Sequence, residues 1–327
     1  MIPLLSVRDI VKTFGTQGKG GDVRAVNHVS LDVQPGQTLG VVGESGSGKS
    51  TLGRLMLRLL EPTSGSIIFN GTTLSDLGTK DVRRHRRQMQ MIFQDPLASL
   101  DPRMSVRKLI TEPLIIHRIG DKQEQSAKVH DMMDRVGLSI DALDRFPHEF
   151  SGGQRQRISI ARAIITMPQL IIADEPVSSL DVSIQSQILN LLLDLRRDLN
   201  LTYVFISHDL AVVQHLADTV AVMHLGEVVE MASASEIFNN PKHPYTQALI
   251  SAVPQIDLDL RRERIVLRGD IPNPQKPPTG CHFHPRCPQA MSICSQEAPT
   301  PLLLEVPGVA LGVHTVTCHL YTPGREE

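Results

Sequence analysis

The octapeptide GESGSGKS, Gly43 to Ser50, lies between an apolar run, TLGVVG (38–43), and a helix-forming run, TLGRLMLRLL (51–60). A chain with this order puts a buried strand, a glycine-rich turn and a helix end to end, which commits it to an α/β architecture. The spacing fits G-x-x-x-x-G-K-[ST]. Gly43, Gly46 and Gly48 let the backbone turn its N–H groups toward phosphate oxygens, with Ser45 and Ser47 between them, and Thr51 opens the helix. Lys49 is placed to reach β- and γ-phosphates, and the Ser50 hydroxyl to hold Mg²⁺. A ligand-free strand-to-helix turn is the alternative, and the flanking elements weigh against it.

Three further apolar runs, MQMIFQ (89–94), QLIIAD (169–174) and TYVFIS (202–207), read as strands buried on both faces. Between the last two, Ile184, Ile188, Leu191, Leu192, Leu195 and Leu199 recur at helical spacing. Strands interleaved with helices predict a mainly parallel sheet covered on both sides. The segment from about 104 to 165 lacks strand-like runs and is expected to be an inserted helical subdomain. Near 255 the texture changes, and IPNPQKPPTG (271–280) reads as an extended linker, so the expected domains are 1–255 and 256–327.

The predicted strands end in residues suited to one nucleotide, because ligands of open α/β sheets bind at the carboxyl ends of strands. Asp174 suits Mg²⁺, Glu175 suits orientation or deprotonation of water, and Gln94 and His208 close the other two strands. Ser151, Gly152, Gly153 and Gln154 form a second anion-binding turn at a helix start, more than one nucleotide needs from a single chain.

The net charge of −2 gives no global pull toward nucleic acid or anionic lipid. RRHRR (83–87) reads as a solvated basic face, since aromatic residues for base stacking are only 3% of the chain. No apolar run approaches the ~20 residues that span a bilayer, and Arg8 and Asp9 interrupt any signal-like start. The expectation is a cytosolic chain in which thiols stay reduced. All four cysteines nonetheless fall in the tail, at spacing C-x5-C-x6-C-x23-C. That spacing matches neither a zinc ribbon nor the common ferredoxins. Four thiols in one proline-rich segment favour a metal staple, with His282, His284 and His319 as substitute ligands. Unliganded thiols are the alternative.

Taken in order, the phosphate loop, Gln94, SGGQ (151–154), Asp174–Glu175, SSLD (178–181) and His208 resemble the ATP-binding subunits of ABC transporters, over roughly residues 4 to 250. The resemblance implies a head-to-tail dimer with each ATP between one subunit's phosphate loop and the other's signature. It implies Phe14 on adenine, Mg²⁺ on Ser50, Gln94 and Asp174, water polarised by Glu175, and His208 at the γ-phosphate. Ser178, Ser179, Leu180 and Asp181 would form the dimer-facing loop. Phe150 stands where the family usually has leucine.

NPKHPYTQAL (240–249), GDIPNP (269–274) and GCHFHPRCP (280–288) resemble the C-terminal extension of the dipeptide, oligopeptide and nickel import ATPases. That likeness implies peptide import, with nickel or another small solute as the alternative. It also implies a related second ATPase subunit, two membrane permease subunits, an extracytoplasmic binding protein, and a peripheral position at the cytoplasmic membrane face. Because some such ATPases carry a [4Fe–4S] cluster on this extension, it implies one on Cys281, Cys287, Cys294 and Cys318, with Zn²⁺ as the alternative. A soluble ABC protein acting on ribosomes or DNA, or a redox-sensing ATPase, is the competing class.

Overall fold

The apolar runs form strands where expected. The computed structural model describes residues 2–15, 21–253, 263–270, 272–305 and 313–322; the expected boundary near 255 lies outside them. The strands are β1 (Leu5–Phe14), β2 (Val23–Val33), β3 (Thr38–Val42), β4 (Ser64–Phe69), β5 (Thr72–Thr73) and β6 (Met89–Ile92). They continue with β7 (Leu170–Asp174), β8 (Thr202–Ser207), β9 (Thr219–His224), β10 (Glu227–Ser233), β11 (Leu302–Glu305) and β12 (Val313–Val316). The helices are α1 (Lys49–Met56), α2 (Thr79–Arg86), α3 (Pro96–Ser99), α4 (Val106–Ile116) and α5 (Lys122–Arg135). After them come α6 (Gly152–Ile164), α7 (Val182–Leu199), α8 (Leu210–Leu216), α9 (Ala234–Asn239) and α10 (Pro244–Ser251).

The chain divides into two compact units that interleave in sequence. The first comprises Met1–Leu4, Val33–Thr38 and Asp76–Ile206. Its strands β6, β7 and β8 are parallel, Met89 facing Leu170 and Leu170 facing Thr202. Every residue of β7 and β8 is buried, which explains the apolar runs at 170–173 and 203–206. Helix α7 buries Ile188, Leu191, Leu192 and Leu195, while Ile184 and Leu199 are half-buried at its two ends. Helices α4 and α5 occupy the strandless stretch. Asp121 starts α5 with a reciprocal capping box to Glu124.

The second unit comprises Leu5–Asp32, Leu39–Ser75 and Ser207–Glu327. It holds a sheet in the order β2-β1-β4-β5, and the strands β11-β12-β10-β9-β3. Only β3 and β9 among these five pair in parallel; β9–β10, β10–β12 and β12–β11 are antiparallel. The mainly parallel sheet is found as expected, and in this unit antiparallel strands add to it beside the parallel β3–β9 pair. Leu225 and Gly226 both take positive φ, which closes β9 onto β10 in a two-residue hairpin. Residues of the tail then add to the edge of β10, with Met231 facing Thr315. Buried Glu230 ties this arrangement, accepting from the N–H groups of Lys242 (2.6 Å) and His243 (2.9 Å) and pairing with His314 Nε2 at 2.6 Å.

Candidate active site

In the second unit β3 runs into the glycine-rich loop and α1 leaves it. Gly48 has φ +100°, and a Cβ there would lie 2.1 Å from the Ala25 carbonyl oxygen, so only glycine allows this approach. The Gly226 N–H donates to the Ser47 carbonyl at 2.9 Å, and the Gly226 carbonyl accepts from the Asn27 N–H at 2.9 Å, bracing the loop from beneath. Lys49 is buried, and its ammonium donates to the carbonyls of Gly43 (2.7 Å) and Glu44 (2.8 Å). A cation is thus fixed inside the loop. Ser50 and Thr51 lie half-buried in the first turn of α1, and Ser45 and Gly46 are exposed. This is a cradle for phosphate oxygens, and its residues fit a Mg·nucleotide.

Glu44, which the motif leaves unspecified, is held on two sides. Arg286 donates to its two carboxylate oxygens at 2.7 and 2.9 Å, and the Tyr245 hydroxyl accepts from its N–H at 2.9 Å. The hydrogen bond from Arg286 keeps the Glu44 carboxyl below the usual carboxylate range. Sequence spacing carries no signal of a pair 242 residues apart.

Phe14 ends β1 and is exposed, with Lys12 Nζ 5.1 Å from its ring centre. His208 is exposed on the turn between β8 and α8. Asp209 fixes that turn by accepting from the N–H groups of Ala211 and Val212 at 2.9 and 3.4 Å.

In the first unit Asp174 closes β7, buried, and Glu175 follows it with φ +45°, a conformation that L-residues rarely hold without a constraint. The constraint is visible. The Glu175 N–H donates to the Ile206 carbonyl at 2.9 Å, and its carboxylate accepts from Gln94 Nε2 at 2.9 Å. Two of the predicted strand-end residues are therefore in direct contact. Ser178, Ser179 and Asp181 are exposed, with Leu180 half-buried; Gln185 Nε2 donates to the carbonyls of Val177 and Leu180, both at 3.0 Å, pinning that loop onto α7.

Ser151 is the N-cap of α6. Its hydroxyl accepts from the Gln154 N–H at 3.3 Å, while Gln154 Oε1 accepts from the Ser151 N–H at 3.0 Å. SGGQ is thus a capping box, which S-x-x-Q spells in the sequence. A Cβ on Gly153 would lie 2.5 Å from Ile184 Cγ2, and one on Gly152 3.3 Å from Leu180 Cδ2.

The tail requires a correction. Cys281, Cys287, Cys294 and Cys318 are all free, and among the described residues no group of three or more His, Cys, Asp or Glu is placed to hold a metal ion. The expected [4Fe–4S] cluster, and Zn²⁺ in its place, are not supported. Burial pushes the Cys281 thiol up to about 11 and the Cys318 thiol to about 12, so both stay neutral S–H groups. The proposed substitute ligands His284 and His319 donate ring N–H groups to the carbonyls of Cys281 and Glu297, both at 2.9 Å. Packing anchors the segment instead. Phe283 is fully buried, its ring centre 5.3 Å from Tyr245, 5.4 Å from His224 and 5.6 Å from His243. The hydroxyl of Tyr321 donates to the Lys242 carbonyl at 3.0 Å.

The strand, glycine loop and buried lysine that open α1 define the class: a phosphate-loop nucleotide-binding protein. Residues 26–178 match the ABC transporter family, and 229–294 match the oligopeptide/dipeptide transporter C-terminal region. The chain is 50% identical to the oligopeptide transport ATP-binding protein AppF of Bacillus subtilis, over 98% of both chains. It is 48% identical to the dipeptide transport ATP-binding protein DppF of Haemophilus influenzae, over 91% of this chain and 92% of that one. Among solved structures, the post-hydrolysis ADP- and phosphate-bound dimer of the cassette MJ0796 matches with a TM-score of 0.65 at 27% identity, covering 70% of this chain and 98% of that one. The chain belongs to the ATP-binding subunits of ABC transporters, and it has the ABC ATPase fold. Among the described residues no helix is long and apolar enough to cross a membrane.

Proposed function

We propose that the chain is the ATP-hydrolysing subunit of an ABC importer for di- or oligopeptides. What carries this reading is that identity near one half to named peptide-transport ATP-binding proteins runs across both the cassette and the C-terminal region. The two regions are read as a cassette, 1–255, with a helical subdomain at about 104–165, and an extension, 256–327.

In this reading Lys49 and the loop amides bind the triphosphate, and Phe14 takes the adenine. Ser50, Gln94 and Asp174 would hold Mg²⁺, which when bound neutralises charge between phosphate oxygens. Glu175, already oriented by Gln94, orients and takes a proton from the attacking water. His208 meets the γ-phosphate. Ser151, Gly152, Gly153 and Gln154 meet the ATP of a second subunit, with Ser178, Ser179, Leu180 and Asp181 at that interface. The partners are a related second ATPase, two permease subunits and an extracytoplasmic peptide-binding protein, which place the chain at the cytoplasmic face of the membrane.

The test is ATP turnover and peptide uptake with the reconstituted permease. Lys49→Ala should abolish both. Glu175→Gln should bind ATP and hydrolyse it at least ~100-fold more slowly, as expected for loss of a general base. Ordinary turnover in either variant removes that residue from the mechanism.

A further inference from the structure

The phosphate loop carries an acid of its own. Glu44 sits between Gly43 and Ser45, in a segment whose other groups collect anionic oxygens. An uncompensated carboxylate there opposes a triphosphate on the same loop, because like charges a few ångströms apart repel. The compensation comes from the far end of the chain. Arg286 meets Glu44 through both guanidinium NH groups, at 2.7 and 2.9 Å, with its side chain only 7% exposed. A planar fork on a carboxylate fixes orientation as well as charge.

Arg286 is delivered by the tail. Three residues before it, Phe283 is packed against Tyr245, and that tyrosine's hydroxyl accepts from the Glu44 N–H. The linker reaches the same loop: Glu44, Ser45 and Gly46 share a cavity of about 350 Å³ with Pro272, Asn273 and Pro274.

We propose that Arg286 is a positioning residue for the phosphate loop. By neutralising and holding Glu44 it sets the loop's affinity for ATP, so tight nucleotide binding depends on the C-terminal segment. The proposal rests on the assignment of residues 43–51 as the ATP loop.

The test is calorimetric titration of the full-length chain with Mg·AMP-PNP, then with AMP. Arg286→Met should weaken Mg·AMP-PNP binding about tenfold at low salt, with a smaller effect on AMP and a loss that shrinks as salt screens the exposed charge. Adding Glu44→Gln to Arg286→Met should restore affinity to within about threefold of the unmodified chain, since no charge is then left to mask. A double variant as weak as Arg286→Met overturns the proposal and leaves a brace; so does an Arg286→Met chain that binds normally. If Arg286→Met does not fold, Arg286→Lys decides: it keeps the charge and should lose no more than about threefold, whereas a tenfold loss overturns the role of charge. An unmodified chain that fails to bind Mg·AMP-PNP removes the ATP-loop assignment itself, and with it the proposal.

Discussion

Replacing Phe283 with alanine should release the C-terminal segment. The ring is 1% exposed and contacts three other rings, standing edge-on to His224 at 86°. Truncating a buried phenylalanine costs about 3–5 kcal/mol, the lost transfer energy plus the cavity left behind. Two tilted neighbours and one edge-on neighbour close around this ring, so little collapse is open to them, and we expect about 4 kcal/mol. Phe283→Leu refills most of that volume and should cost about 1 kcal/mol. Urea unfolding followed by tyrosine fluorescence suits the question, because the chain has three tyrosines and no tryptophan, and Tyr245 lies against the ring. A loss of 4 kcal/mol is a large share of the about 5–15 kcal/mol that holds a typical domain. If Phe283→Ala shifts stability by less than about 1 kcal/mol, ring burial is not what anchors the tail.

Gly153→Ala should couple to Ile184, since its Cβ would lie 2.5 Å from Ile184 Cγ2 and a β-branched helix residue has little rotamer freedom to retreat. Thermal unfolding of the Gly153→Ala, Ile184→Ala double-mutant cycle should give a coupling of at least about 1 kcal/mol, and additive losses would refute the contact. Acid should destabilise the second unit in a defined window. Burial holds His224 at about 4 and His243 at about 3, below the ~6.5 of a free imidazole. The unfolded chain therefore gains two protons that the folded chain refuses as pH falls below ~6.5, so this stability is complete above that pH and lost toward 4 and 3, at about 1.4 kcal/mol per proton per pH unit. His243 Nδ1 accepts from the Tyr245 N–H at 3.0 Å, a cap that asparagine can keep without titrating. His243→Asn should roughly halve the slope of stability against pH between 6.5 and 4; an unchanged slope in urea titrations would refute this account.

Elements that announce themselves by local pattern could be placed from the sequence. Strands β3, β7 and β8 are apolar along most of their length because both faces are covered, and α7 shows its stripe because one face is buried. The hairpin at Leu225 and Gly226 was hidden, since a leucine occupies a positive-φ position that asparagine or aspartate usually marks. Strands β11 and β12 were also missed. They are four residues each, too short for a period to show, and they exist by pairing, β12 with β10 and β11 with β12. Clustering of cysteines along the chain did not fix where their side chains point. Among that segment's anchors is Phe283, one of eight phenylalanines and marked by no local pattern. The Arg286–Glu44 pair was beyond any local pattern, because its two halves meet only through tertiary structure.

The binding role proposed for the SGGQ turn is compatible with its part in stability. The capping box consumes the N–H groups of Ser151 and Gln154, and the Ser151 carbonyl accepts from the Arg155 N–H at 2.9 Å. Those bonds fix the direction of α6 without using the amides of Gly152 and Gly153, which precede the first intrahelical bond. The Ser151 oxygen accepts in the cap, so its proton is still available to donate. An anion approaching the helix start would therefore meet donors already held in place, and would not have to break the cap to reach them. The glycines satisfy both demands. Without side chains they admit Leu180 of the neighbouring loop and Ile184 of the neighbouring helix, and Gly152 stays exposed. A serine-to-alanine change at 151 would remove cap and hydroxyl donor together, so the more informative substitution is Gln154→Glu. It keeps the side-chain acceptor of the box while placing a negative charge where an anion is proposed to dock.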